Sequence, residues 1–166
     1  MKPVAVVVGA PGAGKTTIGT MLAQELGLSF RDTDADIAAA AGKPIPDIFV
    51  DDGEEHFRAL ERYAIATALS DHDGVLAVGG GAVLAPETRE LLKGHTVVYL
   101  TVDLGEAVHR VGLEGNRPLL MVNPRATLRF LMEQRRPLYE EVATHTIDTT
   151  GRAPEEIVAE LVKVVT

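Results

Sequence analysis

With 166 residues, 46% of them hydrophobic and no cysteine, the chain has enough apolar surface for one compact domain and no thiol for a disulfide, a thiolate metal site or thiol catalysis. Lys and Arg number 16 against 24 Asp and Glu, a formal net charge of −8 that argues against broad electrostatic attraction to nucleic acid or an anionic membrane. An anionic ligand must therefore find its positive charge locally.

In chain order, Val4–Val8 is a short aliphatic run that reads as a strand; it is too brief for a signal or membrane segment, so the cytoplasm is the expected compartment. It leads directly into Gly9-Ala10-Pro11-Gly12-Ala13-Gly14-Lys15-Thr16, a full match to the P-loop pattern, and then into an amphipathic helix over Lys15–Leu26. Strand, glycine turn and helix in that order make a phosphate cradle. Gly12, Ala13 and Gly14 let backbone N–H groups converge on phosphate oxygens, and the helix N-terminus adds positive dipole. Lys15 bridges the β- and γ-phosphates and Thr16 ligates Mg²⁺. No Asn-Lys-x-Asp tetrapeptide for guanine occurs, which favours ATP over GTP.

Ser29–Asp32 reads as the second strand, which places Asp32-Thr33-Asp34 at the carboxyl edge of a parallel sheet, where α/β proteins bind ligands. While the chain stays extended, alternation puts Asp32 and Asp34 on one side, Asp32 near Mg²⁺ and Asp34 near an acceptor hydroxyl whose proton it takes. The competing reading makes Asp34 the N-cap of the next helix and Asp32 a solvated turn residue. Helices follow over Asp34–Ala41, Pro46–Asp52 and Glu54–Leu69, then a strand over Val75–Val78. Pro86–Leu92 reads as helix, Thr96–Leu100 as strand, Gly105–Val111 as helix and Gly112–Pro124 as an irregular stretch. Helix over Arg125–Arg135, strand over Thr146–Asp148 and helix over Pro154–Val165 complete the chain. Strands that are aliphatic throughout suit a parallel sheet covered on both faces, so the expected fold is a doubly wound α/β domain. The histidines show no paired spacing for a metal site.

The ordered set of motifs is more specific than any one of them. It comprises the P-loop with Thr16-Thr17, Asp32-Thr33-Asp34, Ile48-Phe49, Gly53-Glu54-Glu55-x-Phe57-Arg58-x-x-Glu61, Gly79-Gly80-Gly81, Arg117-Pro118-Leu119-Leu120 and Arg135-x-Pro137-Leu138-Tyr139. In this order the set resembles the shikimate kinase family along nearly the whole chain. The resemblance implies a P-loop NTPase of the nucleoside-monophosphate-kinase-like type, with a five-stranded parallel sheet flanked by helices. It implies a single domain over 1–166 with the P-loop at 9–17, a shikimate-binding segment near 33–61 and a lid near 112–124.

The activity implied is transfer of the γ-phosphoryl group of ATP to the 3-hydroxyl of shikimate, giving shikimate 3-phosphate and ADP on the pathway to chorismate and the aromatic amino acids. The expected partners are the small molecules ATP and shikimate, with Mg²⁺ as the metal, no nucleic acid, no membrane and a monomeric state.

Carried over position by position, the resemblance makes Asp34, Lys15 and Arg117 catalytic. Asp34, Arg58, Arg135 and the triplet Gly79, Gly80 and Gly81 bind shikimate, the two arginines gripping its carboxylate as guanidinium forks do. Glu61 holds the Arg58 guanidinium from one turn away, although such a helix pair taken alone reads as a solvated face. Nucleotide contacts fall to Gly12, Ala13, Gly14, Lys15, Thr16, Thr17, Arg117, Arg110 and Pro154, the last displaced one position from the family pattern. The metal falls to Thr16 and Asp32. Arg117 swings over the phosphates and steadies charge on the transferring group. Ile45, Phe49 and Phe57 line the apolar faces of the ring or serve as plain core. Two departures stand out: Gly112–Asn116 departs from the usual glycine-asparagine run ahead of the lid arginine, and Arg136 places a second arginine beside Arg135. The rival readings are another small-molecule P-loop kinase, such as a gluconate kinase, and a nucleotide-gated interaction protein; the Asp-Gly-Phe/Tyr-Pro-Arg signature of nucleoside monophosphate kinases is absent.

Overall fold

The computed structural model describes residues 2–114 and 123–166. Their elements run β1 (Ala5–Val8), α1 (Lys15–Leu26), β2 (Phe30–Asp32), α2 (Thr33–Ala41), α3 (Ile45–Asp52), α4 (Glu54–Asp71) and β3 (Val75–Ala77). A 3-10 turn (Ala82–Leu84) follows, then α5 (Pro86–Leu92), β4 (Val97–Thr101), α6 (Leu104–Glu114), α7 (Pro124–Val142), β5 (His145–Asp148) and α8 (Pro154–Val165). The five strands form one sheet in the order β2-β3-β1-β4-β5, every neighbouring pair parallel.

Successive strand residues face opposite sides, and here both sides are apolar. Ala5, Val7, Val98 and Leu100 pack with Ile18 and Leu22 of α1 and Ile157 and Leu161 of α8. Val6, Val8, Val97 and Tyr99 pack with Ile65 of α4 and Tyr139 and Val142 of α7. Each such aliphatic side chain contributes about 1.5–3 kcal/mol by leaving water, so the two cores clamp the sheet from both faces. A third, smaller cluster joins Ile37, Ile48 and Phe57 of α2, α3 and α4, with the Phe49 and Phe57 rings 4.7 Å apart. Phe57 is thus a core residue, and the partly buried Ile45 and Phe49 pack against it, bracing these three helices beside the sheet.

The carboxyl end of β1 lies between those of β3 and β4, at the position where strand order reverses and a crevice opens. The P-loop leaves β1 at that crevice.

Several elements differ from expectation. No extended residue separates β2 from α2, because Asp32 itself caps the helix and α2 begins at Thr33. Gly112–Glu114 belong to α6, and Pro124 opens α7 rather than closing an irregular stretch, as proline does at a first helical turn. A 3-10 turn follows the glycine triplet, where no helix was expected. Most consequentially, α7 does not stop at Arg135 but runs through Pro137 to Val142. Proline removes one helical hydrogen bond, and the burial of Tyr139 and Val142 against the sheet offsets that loss.

Candidate active site

The P-loop turns through two left-handed glycines, Gly12 at φ 85° and Gly14 at φ 94°. A Cβ at Gly12 would also stand 2.7 Å from the Ala107 carbonyl oxygen, so α6 leaves room for glycine alone. Lys15 Nζ donates to the carbonyls of Gly9 at 2.8 Å and Ala10 at 3.1 Å, which folds its ammonium back over the loop. Thr16 Oγ1 stands 3.4 Å from Asp32 Oδ2, while Asp32 Oδ1 accepts the Asp34 N–H at 2.9 Å. The helix cap is therefore Asp32 and not Asp34, and Asp34 sits on the first turn of α2 rather than on an extended strand. One recess brings together Gly12, Lys15, Thr16, Asp32, Asp34 and Gly80.

The hydroxyl of Thr16 and the carboxylate of Asp32 are hard oxygen donors beside that cradle. Among the described residues no cluster of three His, Cys, Asp or Glu forms a cage. A donor set this sparse fits Mg²⁺, which keeps waters and takes its remaining ligands from phosphates.

At the other end of the recess the glycine triplet is surrounded by charged side chains. A Cβ on Gly79 would stand 2.9 Å from Asp34 Oδ1 and from Glu61 Oε2; one on Gly80 would lie 3.6 Å from Arg135 Nη1; one on Gly81 would overlap the Arg58 guanidinium. The structure thus brings Asp34, Arg58, Glu61 and Arg135, from α2, α4 and α7, around one loop. Glu61 is 3% exposed and accepts from Arg58 Nη1 at 2.9 Å, so this pair is not a solvated helix face. Burial holds the Glu61 carboxyl above its ordinary pKa, with the Arg58 charge pulling the other way. Glu54 Oε2 takes the Nε and Nη2 side of the same guanidinium at 3.3 Å, and the Phe57 ring lies 5.3 Å beneath it. Glu61 Oε2 and Arg135 Nε are buried without a hydrogen-bond partner among the described residues, a condition that buried polar atoms rarely keep unless a ligand or water completes them. Arg136, one residue on, lines a separate recess with Tyr99 and Glu140.

On the far side of the P-loop a second recess is lined by Ala13, Thr17, Arg110 and Pro154. Arg110 donates to the Gly12 carbonyl at 2.9 Å and to Glu106 Oε2 at 2.7 Å. Glu106 also accepts the Gly151 N–H at 3.3 Å, tying α6 to the loop before α8. Sequence reasoning missed three residues here: Glu106, and Thr149 and Arg152, which line the recess. Arg152 was detectable as a cation two residues before Pro154. Glu106 and Thr149 carried no signal without the fold. Arg117, with most of the expected lid, lies outside the described residues.

The sequence profile of the shikimate kinase family matches residues 11–166. The shikimate kinase of Salinispora tropica is 64% identical over 161 residues, covering 97% of this chain and 96% of that protein. That of Salinispora arenicola is 62% identical with the same coverage of 97% and 96%. Among solved structures, shikimate kinase from Acinetobacter baumannii in complex with shikimate superposes with a TM-score of 0.94 at 40% identity, covering 99% of this chain and 93% of the other.

Proposed function

The chain belongs to the shikimate kinase family, and we propose that the residues gathered above divide between them the ATP-dependent phosphorylation of the shikimate 3-hydroxyl. The products are shikimate 3-phosphate and ADP. The gluconate kinase and interaction-protein readings fall with the family assignment.

The P-loop N–H groups and Lys15 hold the triphosphate, Lys15 exchanging the Gly9 and Ala10 carbonyls for the β- and γ-phosphate oxygens. Thr16 and Asp32 would hold Mg²⁺, whose chemistry is to neutralise charge on the β- and γ-oxygens. Arg58, steadied by Glu54 and Glu61, and Arg135 grip the shikimate carboxylate. Asp34 orients the 3-hydroxyl and accepts its proton as the new oxygen–phosphorus bond forms and the bond to the ADP oxygen breaks. Arg110 and Pro154 flank adenine. Arg117, from its place in the family motif alone, steadies charge on the phosphoryl group in flight.

The observation that carries this reading is the crowding of Asp34, Arg58, Glu61 and Arg135 around Gly79–Gly81, in a recess that Asp34 and Gly80 share with Lys15. It supports the reading of a carboxylate grip at one end and a phosphate cradle at the other, with a base between them. A monomer is the proposed working unit, and light scattering tests it. No helix among the described residues is long and apolar enough to cross a membrane; the cytoplasm is the proposed compartment. The deciding experiment is ADP release with shikimate, gluconate, nucleoside monophosphates or no acceptor, side by side. Release that depends on shikimate alone is expected, and equal release without an acceptor overturns the reading.

A further inference from the structure

Tyr139 lies outside the roles assigned above, yet it is 1% exposed and its hydroxyl donates to the Gly80 carbonyl oxygen. Burial raises its pKa, so the phenol stays protonated and a donor throughout the working pH range. The ring is fixed by stacking on Tyr99, with centroids 5.0 Å apart.

The other two carbonyls of the triplet are also taken up inside the protein: Gly79 accepts from the Ala82 N–H and Gly81 from the Leu84 N–H, each at 3.1 Å. What the loop offers a ligand is therefore its N–H side. A trans peptide plane holds its C=O and N–H antiparallel, so a hydroxyl that anchors the Gly80 carbonyl also aims the Gly81 N–H the opposite way. Glycine has no side chain to fix this plane sterically, and an unanchored Gly80–Gly81 peptide would be free to flip.

Arg135 stands one helical turn before Tyr139, on the same face of α7, and its Nη1 approaches the same glycine. That register exists only because α7 continues through Pro137. We propose that Tyr139 is a positioning residue for the acceptor: it locks the Gly80–Gly81 peptide in the orientation that presents N–H to shikimate, and does so from the helix face that also carries the Arg135 guanidinium. The proposal rests on the acceptor site assigned above.

The test is Tyr139→Phe, which keeps the ring and removes only the hydroxyl. Shikimate and ATP are varied separately, and thermal denaturation is recorded alongside. Loss of one buried hydrogen bond predicts a rise in shikimate KM of about three- to tenfold, with ATP KM and kcat within about twofold of the unaltered protein. A lower melting temperature with unchanged shikimate KM makes Tyr139 a packing residue and overturns the proposal, as does an equal rise in both KM values. If the unaltered protein itself shows no shikimate-dependent ADP release, the functional reading falls and takes this proposal with it; a flat response confined to Tyr139→Phe removes the proposal alone. Should the variant not fold, the Tyr139 hydroxyl proton in the unaltered protein gives the second readout by NMR. Slow exchange of that proton with water, as expected of a buried donor held on the Gly80 carbonyl, with the Gly81 amide resonance moving on addition of shikimate, supports the proposal. A Gly81 amide that does not respond to shikimate overturns it.

Discussion

Arg58 and Glu61 are paired at 2.9 Å on α4, and the second carboxylate oxygen of Glu61 would meet a Cβ on Gly79 at 2.9 Å. Glu61 thus pairs with the guanidinium through one oxygen and lies against the glycine loop with the other, while the guanidinium itself lies against Gly81.

Burial lifts the Glu61 pKa above its ordinary 4.5, which means that its charged form weighs against folding. For a carboxyl raised in the folded state, the favourable contribution is fully present below the unfolded value and is lost as pH rises through the folded value. Glu61→Gln keeps the acceptor and removes the charge. It should lose no thermal stability near neutral pH relative to the unaltered protein, and any gain should disappear as pH falls below 4.5. Shikimate KM should rise about tenfold as Arg58 trades a charge-assisted bond for a neutral one. Melting curves across pH check the first statement and steady-state kinetics the second; a marked loss of stability at neutral pH would mean that the Arg58 attraction outweighs burial.

Asp34→Asn should bind ATP as the unaltered protein does and lose phosphoryl transfer by about 10²–10⁴, the ordinary yield of a positioned base. Nucleotide titration and single-turnover ADP formation separate the two. Retained turnover would leave Asp34 with no chemical part and return it to the first turn of α2 as a helix residue only.

Gly81→Ala introduces a methyl group where the Arg58 guanidinium now lies. The guanidinium is the far end of a flexible side chain, so the fold should survive with a loss within about 1–2 kcal/mol. The displaced Arg58 no longer faces the substrate carboxylate, and shikimate KM should rise by more than tenfold, the scale of a charge-assisted bond, with ATP KM unchanged. Gly80→Ala, whose Cβ finds its nearest neighbour at 3.2 Å on Pro11, should be milder.

Local chemistry carried most of the fold. Aliphatic runs named β1, β3 and β4, and shorter β-rich stretches named β2 and β5, each to within about two residues, and the P-loop fixed the phosphate end through its own glycines. The carboxylate grip was readable only as a motif, because Arg58, Arg135 and Asp34 belong to three different helices and no periodicity in one segment reports on another. Pro137 misled in the usual way: proline argues locally for a helix end, and the burial that overrides it is a tertiary quantity. The competing reading of Asp34 as the cap of α2 fails for a related reason: Asp32 is the cap, since a cap is decided by where the helix hydrogen bonds begin and not by residue type. Glu106 was invisible, its partners Arg110 and Gly151 meeting only once α6 and the loop before α8 lie side by side.

That last contact gives a prediction on the nucleotide side. Glu106 holds Arg110 at 2.7 Å, Arg110 holds the Gly12 carbonyl at 2.9 Å, and Glu106 also takes the Gly151 N–H, so one carboxylate fixes the recess assigned to adenine from two directions. The Arg110–Glu106 pair is about 30% exposed, and solvent screening limits its worth to about 1 kcal/mol or less. Glu106→Ala should therefore raise ATP KM by about three- to fivefold rather than abolish binding. Shikimate KM should stay where it is, because no atom of this relay reaches Gly79–Gly81. Arg110→Ala removes the flanking group itself together with its bond to the P-loop, so its effect on ATP KM should be the larger of the two. Equal effects would mean that Arg110 acts only by steadying Gly12. A change in shikimate KM as large as that in ATP KM, in either variant, would show that the two ends of the crevice are coupled through the P-loop and not independent.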